Sequence, residues 1–258
     1  MMELGLQGKV AFVVGSTSGL GLGIAEALSN EGASVAVAGR RGDLARTHAG
    51  RMPSAVGVEL DLTDAASRTA AIDQVVSTLG PIDVLVLNSG GPPAGQASVL
   101  QSHQMKSTIE ALLMAQIDLV QAVLPTMRAH GWGRILGIGS RGVNQPIPNL
   151  AQSNIARSAL AAYLKTLAGE VAQDGVTVNM ILPGRIASER AISLDAGQAK
   201  REGTTPDDVR ERSQKSIPAG RYGTAEEFGS VAAFLSSARA SYVTGAQIRV
   251  DGGLISSM

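Results

Sequence analysis

At 258 residues the chain is long enough for one α/β domain with a large core. Its 22 basic and 22 acidic residues cancel, which removes the charge excess expected of a nucleic-acid or anionic-membrane binder. Cysteine is absent, so disulfides and thiolate metal sites are excluded.

Strands and helices alternate along the whole chain. Val10–Val14 is a short apolar run ending at Gly15, the pattern of a buried parallel strand. Gly19–Glu31 is predicted helical, with Leu20, Ile24, Ala27 and Leu28 on one face. Strands follow at Val35–Ala38 and Val56–Leu60, and Asp64 caps a helix running through Leu79. Val84–Leu87 is the fourth strand, after the Gly80-Pro81 turn, and a long helix is expected over about Ser107–His130. Arg134–Ile138 is the fifth strand, Leu150–Gln173 another long helix and Val176–Leu182 the sixth strand. Residues 186–217 are polar and irregular, with one short helix expected. Thr224 opens a helix to Leu235, and Gln247–Val250 is the last strand. This order predicts a single-domain α/β fold over residues 1–258, a doubly wound parallel sheet (Rossmann fold) with helices on both faces. Aromatics make up 3 %, so Val, Ile, Leu and Ala must fill the core. No run reaches the roughly 18 apolar residues of a membrane helix, and Met1–Lys9 lacks a basic stretch followed by an apolar one. The expectation is a soluble cytoplasmic protein without membrane or nucleic-acid partners.

Gly15-Ser16-Thr17-Ser18-Gly19-Leu20-Gly21 joins the first strand to the first helix. Glycines there permit a tight turn and close backbone approach to a pyrophosphate, which the helix N-terminus attracts. Strand two ends Ala38-Gly39-Arg40-Arg41. A carboxylate at that end would accept from a ribose 2′-hydroxyl, but Gly39 stands there. Arg40 and Arg41 can instead pair with a 2′-phosphate, so NADP(H) is the expected cofactor. The alternative for either arginine is plain solvation.

The spacing Gly-x-x-x-Gly-x-Gly resembles that of the short-chain dehydrogenase/reductase family, and the resemblance extends over nearly the whole chain. Asp61-Leu62 matches the family's adenine-contacting aspartate segment, and Asn88-Ser89-Gly90-Gly91 resembles its Asn-Asn-Ala-Gly turn. Asn179, Pro183-Gly184 with Ile186 and Ser188, and Asp251-Gly252-Gly253 follow in the family's order. The resemblance implies cofactor contacts from Gly15 to Gly21, Asp61, Leu62, Asn88, Gly90, Pro183, Gly184, Ile186 and Ser188. It also implies a homodimer or homotetramer packed through the two long helices.

In the family a serine orients a carbonyl, a tyrosine protonates it, a lysine four residues on binds ribose, and an asparagine holds a relay water. Ser140 fits the serine, but the other positions fall on Ser153, Arg157 and Leu112. A shifted frame through Tyr163 fails, because Leu167 lies four residues beyond it and its helix face differs. Ser140, Ser153 and Arg157 are therefore the candidate catalytic residues, with Arg157 also a cofactor contact. Serine is a far weaker acid than a phenol, and Arg157 stays protonated. Loss of a general acid costs roughly 10² to 10⁴ in rate. That arithmetic favours hydride delivery to an activated C=C over simple ketone reduction. The absent Tyr-x-x-x-Lys, the Gly90–Pro93 loop and an arginine-containing insertion resemble an atypical branch of the family, which includes the olefin reductase of bacilysin biosynthesis.

Arg141, Asn144 and Arg185 are the candidate substrate residues, as anion or polar contacts; Gln145, Asn149 and Asn154 crowd the same loop. Residues 186–217 read either as a solvated charged segment or as a substrate lid, and the two are compatible. His48, His103 and His130 show no metal-ligand spacing, and no metal is expected. The reading is an NADPH-dependent oxidoreductase acting on a small carbonyl or activated C=C substrate. A conventional 3-oxoacyl-thioester reductase is a second enzymatic version, and a catalytically silent NADP-binding sensor or partner protein is the alternative from another class.

Overall fold

The computed structural model describes residues 3–256. Seven strands form one parallel sheet: β1 (Val10–Val13), β2 (Ser34–Gly39), β3 (Ala55–Glu59), β4 (Val84–Leu87), β5 (Gly133–Ile138), β6 (Val176–Pro183) and β7 (Gln247–Val250). Their order is β3-β2-β1-β4-β5-β6-β7, so the winding reverses between β1 and β4. A crevice opens at that reversal, beyond the carboxyl ends of the strands.

Alternation along each strand sends side chains to two separate cores. Val10, Phe12 and Val14 enter one, with Leu119, Leu160 and Leu164. Ala11 and Val13 enter the other, with Ile24, Leu28 and Phe228. The first core lies under α3 (Ala65–Leu79), α5 (Ala115–Ala129) and α6 (Ala151–Val171). The second lies under α1 (Gly19–Asn30), α2 (Gly42–Ala49) and α9 (Ala225–Leu235). Because both faces are covered, the strands read as continuous apolar runs. Helices α1 and α9 meet on glycines: a methyl on Gly23 would lie 2.8 Å from the carbonyl carbon of Ala225. Asp64 caps α3 by accepting from the Ala66 N–H at 3.0 Å, as expected.

Three elements depart from the sequence reading. Helix α2, short and polar, was absent from it. The long helix expected from Ser107 begins earlier, as α4 (Ser102–Ile109), and reaches α5 through a π-helical turn at Glu110–Met114. A π turn leaves a carbonyl without its usual helical donor, and here Gln116 Nε2 donates to the Ala111 oxygen at 2.9 Å. Residues 186–217 contain two helices rather than one, α7 (Glu189–Glu202) and α8 (Pro206–Lys215). Ser188 caps α7, Gly203 (φ 66°) ends it in the left-handed region, and a reciprocal Thr205–Asp208 box starts α8. The continuous helical stretch Ser102–Ala129 is long and apolar enough to cross a membrane by composition. Its Leu119, Val120, Val123, Leu124 and Met127 are buried in the sheet's first core.

Candidate active site

The turn after β1 is held by its own backbone geometry. Gly15 (φ 62°) and Gly19 (φ 58°) occupy the left-handed region. A methyl on Gly21 would collide with the Gly15 carbonyl and lie 2.8 Å from the Ser16 Cα. Asn88 Nδ2 donates to the Gly15 oxygen at 2.9 Å, tying the β4 loop to the turn. Ser18 stands at the N-cap of α1 without a side-chain cap bond, so first-turn N–H groups at Gly19 and Leu20 border the crevice uncapped. This arrangement suits a pyrophosphate. Ser16 can offer a ligand only its backbone, because its side chain is engaged within the fold. It is fully buried, its hydroxyl donating to Val13 O at 2.6 Å and accepting from the Ala38 N–H at 2.9 Å. It fastens the turn to β2.

At the end of β2, Gly39 faces Thr17, whose Cγ2 would lie 3.0 Å from an added methyl. The Arg41 guanidinium donates to Thr17 Oγ1 at 3.0 Å and Ser18 Oγ at 2.8 Å. Arg40 is exposed beside it, and neither arginine has an ion-pair partner among the described residues. Asp61 Oδ1 accepts from the Thr63 N–H at 2.9 Å and its hydroxyl at 2.7 Å. Those bonds, and Arg40 more weakly, hold its carboxyl below the usual range. Leu62 packs against the first core beside it.

The crevice itself is a cleft of about 510 Å³, a size suited to a small-molecule ligand. The turn residues Gly15, Ser18, Gly19 and Leu20 border it, together with Asn88 and Gly90. Ser140 borders it from the loop after β5, and Ser153 from α6. Ser140 Oγ accepts from the Gly142 N–H at 3.1 Å, which leaves its own proton free to donate. The Ser153 hydroxyl has no hydrogen-bond partner among the described residues, and the residue is partly exposed and borders the cleft. One turn further, Arg157 is 6 % exposed. It donates to the Ile138 carbonyl, and to Ser89 O and Oγ at 3.3 and 3.4 Å. Burial, and secondarily the nearby Arg190 cation, push it down to about 10, so it is charged at neutral pH. Arg157 thus ties β5 and the β4 loop to α6 while bordering the cleft. Leu112 is buried on the π turn, and the Ala111 carbonyl beside it is already capped by Gln116.

The loop entering α6 is pinned by Asn154, which accepts from the Ile147 N–H at 3.2 Å and donates to its carbonyl at 3.0 Å. Asn149 takes φ 60°, a region asparagine tolerates, and its carbonyl accepts from the Gly95 N–H at 2.7 Å. Arg141 borders the cleft; burial first, then Arg185, lower its pKa, while Asp251 opposes the shift. Two expected substrate contacts are engaged elsewhere. Asn144 is exposed, lies outside the cleft lining and donates to Gln247 Oε1 at 2.9 Å. Arg185 borders the cleft, but its charge is matched by Asp195 at 3.0 Å, so it is no free anion clamp.

Pro183, Gly184, Ile186 and Ser188 form the wall after β6. Gly184 abuts Asp251, whose Cα would lie 2.5 Å from an added methyl. Ser188 uses its hydroxyl as the cap of α7, accepting from the Ala191 N–H at 3.2 Å. Sequence reasoning missed the cleft-facing side of α7. Arg190, Leu194, Gln198 and Arg201 recur at i, i+4, i+8 and i+11 and all border the cleft. That periodicity was present in the sequence, hidden by the reading of the segment as irregular.

The family profile described as "Enoyl-(Acyl carrier protein) reductase" matches residues 14–255. The 3-oxoacyl-[acyl-carrier-protein] reductase FabG of Salmonella typhimurium is 33 % identical over 254 residues, covering 97 % of this chain and 99 % of FabG. The cyclohexanol dehydrogenase of a Rhodococcus species is 34 % identical over 274 residues, covering 98 % of each. Among solved structures, YwfH, an NADPH-dependent reductase involved in bacilysin biosynthesis, superposes with a TM-score of 0.92. It is 28 % identical, with 97 % of this chain and 99 % of that one covered. The L-sorbose reductase of Gluconobacter frateurii, complexed with NADPH and L-sorbose, also gives 0.92, at 31 % identity with both chains fully covered.

Proposed function

Since the chain belongs to the short-chain dehydrogenase/reductase family of NAD(P)H-dependent oxidoreductases, we propose that it is an NADPH-dependent reductase with a non-standard active site, acting on a carbonyl or an activated C=C bond. The observation that carries this reading is the cleft, bordered by the uncapped N-terminus of α1 and by Ser140 and Ser153. The phosphorylated cofactor is favoured by Gly39 in place of a carboxylate and by Arg40 and Arg41, neither of which forms an ion pair among the described residues. Gly15 to Gly21, Asn88, Gly90 and the Pro183–Ser188 wall would hold it, and a bound reduced nicotinamide supplies the hydride. Ser140, its proton free, orients and polarises the substrate oxygen. Arg157 fixes the Ser89 loop and adds positive charge where an alkoxide or enolate develops. Ser153 is too weak an acid to replace a phenol. A delocalised enolate can wait for a proton from water, so conjugate reduction is favoured over ketone reduction.

Residues 186–217 act in this reading as a lid, supported by the face that α7 turns toward the cleft. We propose a homodimer or homotetramer packed through the two long helices, as the family resemblance implies. The reading of a silent cofactor-binding protein is favoured by Leu112, buried and without a polar side chain to hold a relay water, and by Ser153, too weak an acid to stand in for a phenol. The test is calorimetry with NADPH and NADH, followed by NADPH consumption against paired ketones and enones. Tighter NADPH binding and faster enone turnover are expected. Binding with no turnover on any pair would favour the silent protein, and equal ketone turnover would remove the argument from the missing acid. The Ser153→Tyr, Arg157→Lys double variant should raise ketone reduction relative to wild type.

A further inference from the structure

We infer that the substrate of this cleft carries an anionic group, a carboxylate or a phosphate, which Arg190, Arg157 and Arg141 receive together. This deepens the reductase reading and rests on it. Five arginines border the cleft, Arg141, Arg157, Arg185, Arg190 and Arg201, against one bordering carboxylate, Glu189. Asp195 neutralises Arg185 and leaves the other four. Among the described residues, Arg141, Arg157 and Arg190 have no ion-pair partner. Arg157 and Arg190 spend their donors on neutral oxygens, Arg190 on the Pro92 carbonyl at 2.9 Å. Asp251 is the carboxylate that favours the Arg141 charge, from a distance. Like charges gathered in a partly desolvated cleft are unfavourable until an anion joins them.

Two features hold this arrangement in place. Gly91 lets the Arg190 guanidinium lie against the β4 loop, since an added methyl would sit 2.8 Å from Nη2 and 2.9 Å from Cζ. The rotation of α7 is fixed from its buried side. Asp195 is 4 % exposed and accepts from Arg185 at 3.0 Å and from the Tyr222 hydroxyl at 2.9 Å. Locking Asp195 inward turns Arg190, Leu194, Gln198 and Arg201 to the cleft. The cofactor's phosphates have their own place at the turn after β1 and beside Arg41, so a second anion is needed to match the arginines of the other wall.

The test is calorimetric titration of the NADPH-saturated protein, and of the protein alone, with succinate, methyl phosphate and neutral succinamide. Either anion should bind and succinamide should not, with binding weakened at high salt. Arg190→Ala and Arg141→Ala should each weaken anion binding about tenfold, and Arg190→Lys should retain part of it. Lys215→Ala on exposed α8 should change nothing. NADPH affinity, read separately, should be unaltered in Arg190→Ala. Succinamide binding as tightly as succinate, or unchanged anion affinity in Arg190→Ala, overturns the inference. So does a loss in Arg190→Ala that falls on NADPH instead, which would assign these arginines to the cofactor. Wild-type protein that binds no NADPH would defeat the reductase reading alone, because the titration without cofactor still reports on the arginines.

Discussion

The two walls of the cleft are built by different forces. On the β1 wall, main chain approaches so closely that Gly21 admits no side chain, and Gly15, at φ 62° against Asn88, tolerates none without strain. On the α7 wall, position is set by charges and hydrogen bonds: Arg185 and Tyr222 on Asp195, Arg190 on the Pro92 carbonyl. Close packing against main chain tolerates almost no substitution, because backbone cannot change rotamer. A wall made of side chains can exchange one cation or hydroxyl for another while the fold stands. The first wall therefore suits a ligand that never varies, and the second suits one that does.

The largest expected effect breaks the first wall. Gly21→Ala forces a methyl onto the Gly15 carbonyl and should cost roughly 3 kcal/mol of stability, with NADPH binding lost. Gly90→Ala, in open space at the same cleft, should change stability by less than about 0.5 kcal/mol. Denaturant melts of the two variants make the comparison, and equal melts would mean the turn yields more readily than its contacts imply.

Next comes the seam between the walls. Arg157→Ala removes the donors to Ile138 and Ser89 and should cost roughly 1–3 kcal/mol, together with activity. Ser153→Ala, which breaks no bond among the described residues, should leave the melt unchanged and reduce turnover much less. A Ser153 variant as damaged as Arg157→Ala would return that hydroxyl to the chemistry. Smaller again, Arg41→Ala should weaken NADPH about tenfold and leave NADH unaffected. Equal losses for both cofactors would mean Arg41 serves only to brace Thr17 and Ser18.

The same division governs what could be read from the residues. The strands were legible because both faces are covered and the runs are short and apolar, as at Val84–Leu87. The glycine turn was legible because its constraint is local. The polar start of α4 lacks an apolar stripe, α2 buries only the small Gly42, Ala45 and Ala49, and the π turn depends on how Gln116 meets Ala111. The engagement of Asn144 with Gln247 and of Arg185 with Asp195 is not legible in the sequence, because tertiary packing rather than neighbouring sequence brings those partners together. Arg190 needed only the recognition that residues 189–202 are helical, which the Ser188 cap and Gly203 signal.

The gentlest test loosens the second wall without touching the cleft. Tyr222→Phe deletes the hydroxyl that donates to Asp195 and leaves the ring packed with Ala191 and Ile217. Asp195 keeps Arg185, so its charge remains matched and the loss should be about 1 kcal/mol. Over a chain of this length that is a fall of roughly 2–4 °C in Tm. The more telling readout is amide exchange in α7, which should quicken from Glu189 to Glu202 while the N–H groups after β1 keep their protection. If protection falls equally on both walls, α7 and the turn after β1 unfold as one unit, and the separation of a rigid wall from an adaptable one has no energetic basis.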